Sequence, residues 1–344
     1  MDEFKNILII KPSAMGDIVM ALPALHALRQ AYPNAKISWL VRPEFASLLK
    51  DHPELDEIVI FDRKKMGKWF ISPASFGVFR SFLAGLRNAK YDLVVDLQGL
   101  FRSGFFAWVT GAKMRVGLAK SRELAHLFYT KTVAWQPSLV HVVDYYLHLA
   151  EVVTGKTCQA KFVLPQKPDA LQSAMAKLEQ AGVNKSNYCV LIPASSHTRK
   201  NWPAANFSAL ADKISSKFGF DIILVGSAGE KPITGQVLGG AKCKVFDLAG
   251  QTNIPELVEI LRNARLVVSN DTGPGQLAAS LDPAVVLIFG PSNPIRLYPY
   301  GRPDAVAANN PYGRGYAIHT LDPIYRIDRI TVEQVFAKIC EVVK

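Results

Sequence analysis

An α/β fold is predicted for this chain, with doubly wound parallel sheets in two domains, and three observations carry that prediction. Its 344 residues, 49% apolar and 20% charged, have ordinary globular composition and make up roughly two domains of about 150 residues each. Short apolar runs alternate with helical patterns, which implies parallel strands joined by right-handed crossovers. The rhythm breaks around 163–185, where Pro165 and Pro168 interrupt it, and restarts at Tyr188. A single (β/α)₈ barrel is the competing architecture, and the mid-chain restart disfavours it.

Taken in order, strands are expected at 6–10, 36–41, 57–61 and 92–97, then at 188–192, 221–225, 244–248, 264–268 and 284–289. Most are nearly continuous Val, Ile and Leu, as strands covered on both faces are. Helical patterns occupy 24–32, 76–89, 204–218, 255–263 and 276–281. Pro23 either kinks the first helix or sits in its first turn. A closing helix is expected over 331–343, with Thr331 as N-cap and Glu333 in the first turn. The boundaries that follow are a first domain at 1–165, a linker at 166–187, a second domain at 188–330 and the closing helix at 331–344.

No apolar run approaches the ~20 residues needed to cross a bilayer. The N-terminus carries Asp2 and Glu3 before an apolar run of only Ile7–Ile10. That is neither a secretory signal nor a transit peptide, so a cytoplasmic location is expected. Cys158, Cys189, Cys243 and Cys340 form no CxxC pair, and no HExxH is present. Disulfide frameworks and structural zinc are not expected, and each cysteine reads as a small buried apolar residue.

Net charge is +11, and it is unevenly placed. Between Ile60 and Lys131, thirteen basic residues face four acids (Asp62, Asp92, Asp96 and Glu123), a local excess of +9. Such a field attracts polyanions, whether nucleic acid, anionic lipid or a phosphorylated substrate. Trp69, Phe70, Phe76, Phe79 and Phe82 interleave with these charges and favour a lipid-like or membrane-proximal partner. Core packing of the helix at 76–89 accounts for the same aromatics. No recognised nucleic-acid motif is present, so nucleic acid is not the expected partner.

Residues at strand ends matter most, because parallel sheets bind ligands there. The first strand runs into Lys11-Pro12-Ser13-Ala14-Met15-Gly16-Asp17, with a single glycine where a dinucleotide site needs GxGxxG. A Rossmann oxidoreductase is therefore disfavoured. Asp17 either caps the following helix or accepts a proton from an attacking hydroxyl. In the second domain, Ser195, Ser196 and Lys200 precede a Pro-opened helix and offer a phosphate cradle. Glu230 can bond ribose hydroxyls or complement a helix N-terminus. Ser269-Asn270-Asp271-Thr272-Gly273-Pro274-Gly275 offers backbone amides suited to a diphosphate; beside an anion, Asp271 repels unless it contacts sugar hydroxyls or fixes the loop. Gly290-Pro291-Ser292 is a turn whose spacing reveals no purpose.

Together these segments resemble glycosyltransferase family 9, the ADP-heptose:lipopolysaccharide heptosyltransferases, over most of the chain. The resemblance also rests on Leu22-Pro23-Ala24-Leu25, Asp96-Leu97-Gln98-Gly99-Leu100, Ser121-Arg122-Glu123 and Lys200-Asn201-Trp202-Pro203. The Met-Gly-Asp, Ser-Arg-Glu and Asp-Thr-Gly versions are most similar to the heptosyltransferase I branch, which adds the first heptose to Kdo-lipid A. The family implies GT-B architecture, two Rossmann-like domains facing a central cleft, with no metal and no cofactor. The resemblance implies a catalytic base at Asp17 and a lysine at the diphosphate, Lys200. It implies donor contacts from Ser195, Ser196, Glu230, Thr252, Asp271, Thr272, Gly273 and Gln276. It places the acceptor near Ser13, Met15 and Gly16; from the basic stretch at 60–131, Arg63, Lys64, Arg102 and Arg122 are the candidates to hold its phosphates and carboxylates. Gln276 departs from the pattern, standing where the family commonly carries histidine. The expected reaction is inverting transfer of L-glycero-D-manno-heptose from ADP-heptose to Kdo, at the inner face of the inner membrane. The nearer rival is another transferase of the same family, adding the second heptose or a different sugar.

Overall fold

The computed structural model describes residues 3–343, so Asp2 of the acidic N-terminus and Lys344 of the closing segment lie outside it. The chain divides into two compact units, Met1–Pro165 and Gln166–Lys344. In the first, β1 (Asn6–Ile10), β2 (Lys36–Val41), β3 (Glu57–Ile60), β4 (Leu93–Asp96), β5 (Met114–Leu118) and β6 (Lys131–Val133) form one parallel sheet in the order β3-β2-β1-β4-β5-β6. In the second, β7 (Tyr188–Ile192), β8 (Asp221–Leu224), β9 (Val245–Asp247), β10 (Leu266–Asn270), β11 (Ala284–Phe289) and β12 (Val306–Ala308) form another parallel sheet, β12-β11-β10-β7-β8-β9.

Counted from its own first strand, each sheet has the order 3-2-1-4-5-6. The order therefore reverses between β1 and β4 in one unit, and between β7 and β10 in the other. At such reversals the flanking crossovers leave in opposite directions and open a crevice at the strands' carboxyl ends. Ile9 pairs in register with Trp39 and Val95, and all three are fully buried. Helices cover both faces, which explains the unbroken apolar runs of the central strands.

Several expectations change. The first helix spans Met15–Ala31, with Pro23 in its interior. Residues 18–25 are almost completely buried, so tertiary burial sustains the helix despite the missing amide. The stretch expected as a linker holds a helix, Pro168–Ala181, closed by Gly182 at φ +79°. Pro168 starts that helix rather than breaking it, because its fixed φ suits the first helical turn. Lys177 Nζ reaches Glu256 Oε2 at 2.6 Å, fastening this helix to the helix Ile254–Arg262 of the second unit. The closing helix, Val332–Val342, has Thr331 as its cap, in a reciprocal pair with Gln334. Val335 and Ile339 pack it into the second unit's core. Only Cys189 is buried; the other three cysteines are half-exposed, because Cys158 and Cys243 sit in loops and Cys340 on the closing helix.

The aromatics of the basic stretch divide. Phe79 and Phe82 pack inward on the helix Pro73–Asn88, with Phe82 5.1 Å from the Phe106 ring. Trp69, Phe70, Ile71 and Phe76 stay exposed.

Candidate active site

At the carboxyl end of β1 the chain passes Lys11 and enters the helix through Ser13 to Asp17. The Ala14 amide donates to Asp17 Oδ2 at 3.0 Å, so this carboxylate holds its own helix's first turn. Asp17 remains half-exposed, as does Met15, while Gly16 is buried beneath them. Lys11 is 97% removed from solvent, its Nζ 3.3 Å from the Leu97 carbonyl and 5.0 Å over the Tyr146 ring. Burial pushes its ammonium down, but Tyr146, Asp17 and Asp96 together outweigh that and hold it above its ordinary value. A permanent positive charge is thus built under the Asp17 turn.

Across the strand reversal, β4 ends in Asp96. Its Oδ1 accepts the amides of Gln98 (2.9 Å) and Gly99 (3.1 Å), and its Oδ2 accepts the Tyr129 hydroxyl at 2.6 Å. Gly99 takes φ +66°, which lets the turn close. The Arg122 amide then donates to the Gly99 carbonyl, and Glu123 Oε2 accepts the Phe101 amide. Three separate sequence motifs are in this way gathered at one crevice.

Burial pushes the Asp96 carboxyl above its ordinary 3.8, against the opposing bonds from Tyr129 and the turn amides. The folded state therefore holds the proton more firmly than the unfolded chain does. The ionised carboxylate costs stability once the pH has risen past the folded value, and that cost vanishes as the pH falls below 3.8. Asp96→Asn keeps an oxygen for both amides and offers the Tyr129 oxygen a donor. This variant should be more stable than wild type at pH 7, with the difference shrinking toward pH 4. Urea midpoints across that range check it, and a less stable variant at pH 7 would show that the carboxylate itself is required.

A cavity of about 90 Å³ adjoins the turn, lined by Ser13, Arg42, Arg63, Gln98 and Arg102 against Phe61 and Phe106. Arg102 lies 5.7 Å over the Phe61 ring. Burial lowers its guanidinium, and Arg63 and Arg42 add repulsion that Glu123 opposes. Arg42 Nε and Gln98 Oε1 are buried without a protein partner. Three guanidinium groups line the cavity, Arg42 also pairing with Glu44 Oε1 at 2.9 Å through Nη2, and with the unspent polar atoms they suit an anion the size of a carboxylate or phosphate. Lys64 and Arg122 do not line this cavity: Lys64 extends into solvent 4.0 Å from Glu44, and Arg122 lies exposed on its turn. Arg42 was missed from the sequence, and Lys11 and Gln98 stood in its motifs without a role, since only the folded sheet shows which polar side chains turn inward.

In the second unit, the loop after β7 carries Ser195, Ser196 and Lys200. Ser195 Oγ accepts the His197 amide at 3.2 Å, while Ser196 is exposed. Lys200 Nζ is 2.6 Å from Asp271 Oδ2, with side chains 16% and 7% exposed. Gln276 Nε2 lies 3.4 Å from the other Asp271 oxygen and donates to the Leu297 carbonyl at 2.7 Å. Asp271 therefore fixes Lys200 rather than standing unpaired beside an anion. Asn270 ties the two loops together, accepting the Trp202 amide and donating to the Pro193 carbonyl. Thr272 caps the short helix Gly273–Ala279 through the Gly275 amide, and a Cβ on Gly275 would sit 2.6 Å from Ser269 Oγ.

Glu230 follows β8 and accepts the Ser227 amide at 2.6 Å, capping the turn before the helix Lys231–Gly240. Thr252 lies half-exposed in the loop after β9. The donor residues expected from the sequence thus occupy successive loops at the carboxyl edge of one sheet. His319, absent from the sequence reading, is pushed down by burial, with Lys200 and His197 adding and Asp271 opposing. Among the described residues, no group of His, Cys, Asp and Glu is arranged to hold a metal ion.

The sequence model of glycosyltransferase family 9 (heptosyltransferase) matches residues 79–321. Lipopolysaccharide heptosyltransferase 1 of Pseudomonas aeruginosa is 29% identical over 304 residues, spanning 86% of this chain and 82% of that protein. The protein of the same name from Salmonella typhimurium is 30% identical over 306 residues, spanning 86% of this chain and 92% of its own length. A solved structure, the E. coli heptosyltransferase WaaC with ADP, superposes with a TM-score of 0.75 over 98% of this chain and 99% of that one, at 24% identity. The fold class they share is GT-B, with two doubly wound units.

Proposed function

This chain belongs to glycosyltransferase family 9, and from that premise we propose that it transfers L-glycero-D-manno-heptose from ADP-heptose to Kdo of Kdo-lipid A. The observation that carries the acceptor is the cavity at Arg42, Arg63 and Arg102 beside the Asp17 turn, which selects a compact anion such as the Kdo carboxylate. In this reading Asp17 takes the proton as the acceptor oxygen bonds to the anomeric carbon. The bond from that carbon to the diphosphate oxygen breaks on the opposite face, inverting the centre. Lys200 and the backbone amides of Thr272 and Gly273 stabilise the departing ADP, with Ser195 and Ser196 beside them. Glu230 and Thr252 hold the nucleoside end. The charge is supplied by these groups, with no metal or cofactor.

A thermal-shift series with ADP, UDP, GDP, CMP and NADH tests the donor. ADP at ~100 times its Kd adds about 2.7 kcal/mol of stability, a rise of roughly 5–10 °C for a domain of this size. Selectivity for another nucleotide would keep the fold and overturn the sugar.

We propose further that the enzyme works on the inner face of the inner membrane. No helix among the described residues is long and apolar enough to cross a membrane. Trp69, Phe70 and Ile71 are nevertheless 45%, 68% and 67% exposed beside Lys64, Lys65 and Lys68. Apolar side chains among lysines suit the boundary between acyl chains and anionic headgroups. Each lysine near such a surface is worth about 1 kcal/mol. Replacing all three with glutamine should lower partitioning onto phosphatidylglycerol vesicles by about a hundredfold, with little change on phosphatidylcholine. Sedimentation measures this, and unchanged partitioning would show that the patch stays in water.

A further inference from the structure

A cavity of about 510 Å³ opens in the second unit, and no step proposed above uses it. Three segments wall it: the turn Thr198–Lys200 after β7, Pro291 after β11, and the chain from Thr320 to Asp328. The last segment follows a stretch that is firmly fastened. Arg314 Nη1 donates to the carbonyls of Gly290 (2.6 Å) and Ser292 (2.5 Å), and its guanidinium lies 4.1 Å from the Tyr325 ring. Asn293 Nδ2 bonds the carbonyls of Gly315 and Ala317. Two backbone bonds, Asn293 N–H to Ile318 O and Thr320 N–H to Pro291 O, complete the attachment. A Cβ on Gly290 would meet Ile327 Cβ at 2.6 Å, so glycine there lets the wall close in. Walls fixed in this way need little ordering when a ligand enters.

The lining chemistry narrows the ligand. Arg199 and Arg326 are matched by Asp322 and Asp328, with Arg326 already bonded to Asp328. The site is charge-balanced, so it exerts no net pull on a polyanion, in contrast to the arginine cavity of the first unit. The hydroxyls of Thr198, Thr320 and Tyr325 supply neutral donors and acceptors, while Leu321, Ile327 and Pro323 form an apolar wall. Asn201, also in the lining, has a buried Oδ1 with no protein partner. A sugar ring presents the matching surface, hydroxyls around its rim and C–H groups on its faces. The volume lies within the range of about 300–1,000 Å³ typical of small-molecule sites.

We propose that this cavity is a saccharide subsite, taking a polyhydroxylated ring recognised through its hydroxyls rather than its charge. The ring is either the glycosyl group of the donor or a sugar of the acceptor. This inference rests on the family reading, and Arg199 is the immediate neighbour of Lys200 in one turn.

Two variants test it: Arg199→Ala removes a donor, and Leu321→Trp fills the space from a position 79% exposed, so neither disturbs the core. Each is titrated with ADP, with ADP-heptose and with a deacylated Kdo-bearing acceptor fragment. Loss of a charged hydrogen bond predicts binding about tenfold weaker. Weakened ADP-heptose with unchanged ADP identifies the donor sugar as occupant; a weakened acceptor fragment alone identifies the acceptor. Both sugar ligands staying within twofold of wild type in both variants would overturn the inference. If wild type fails to bind ADP, the donor reading fails at Lys200, and the acceptor titration then decides the cavity by itself.

Discussion

Replacing Asp17 with asparagine should leave folding and ADP affinity unchanged and lower turnover by about 10²–10⁴-fold, the contribution of a positioned general base. The substitution is informative because the carboxylate also holds the first turn of its helix through the Ala14 amide. Asparagine keeps an oxygen for that bond, so the turn survives while the proton acceptor is lost. Lys11 beneath it retains Asp96 and Tyr146 as electrostatic partners, so the buried ammonium is not orphaned. Asp17→Ala removes both roles at once and should add a loss of the order of 1 kcal/mol, the usual worth of a helix cap. Comparing melting curves, ADP titrations and single-turnover rates for the two variants separates base from cap. An asparagine variant that retains turnover within a few-fold would leave Asp17 as a cap alone.

The sheets' central strands were legible because burial on both faces makes them continuous apolar runs, as in Ile7–Ile10 and Tyr188–Ile192. The edge strands β3 and β9 were legible too, but β5, β6 and β12 were not. Met114–Leu118 is broken by Arg115 and Gly117, and that glycine is there because a Cβ would lie 2.2 Å from the Tyr129 ring. Lys131–Val133 and Val306–Ala308 are too short to carry a pattern. Pro168 misled because a helix start and a break look alike in sequence. At the site, residues fixed by the backbone turns after strands could be found by position: Asp17, Lys200, Glu230 and Asp271 all sit there. Which of them bond to one another could not be found, since Lys200 and Asp271 are separated by 71 residues and meet only through the β7–β10 pairing. Gly290 had no readable purpose until the approach of Ile327 and the Arg314 bond gave it one.

That Lys200–Asp271 pair governs the second large effect. At 2.6 Å and nearly buried, it is a neutral unit, and Gln276 adds a hydrogen bond but no charge. A diphosphate arriving here does not meet a free ammonium; it must share Lys200 with Asp271 or draw it away. The leaving-group role proposed for Lys200 is therefore paired with a structural one, and a single substitution confounds them. Lys200→Met should lower turnover by about 10²–10³-fold, and it should also cost about 3 kcal/mol of stability, because Asp271 is left buried and unpaired. In the Lys200→Met, Asp271→Asn double variant the stranded charge is gone, and asparagine can still accept from Gln276. Most of the lost stability should return while turnover stays low, because the phosphate still lacks its cation. Urea unfolding and turnover measured on the full cycle give the coupling in each quantity separately. Should turnover recover together with stability in the double variant, Lys200 would be a scaffold for Asp271, and the charge at the diphosphate would have to come from the backbone amides of Thr272 and Gly273.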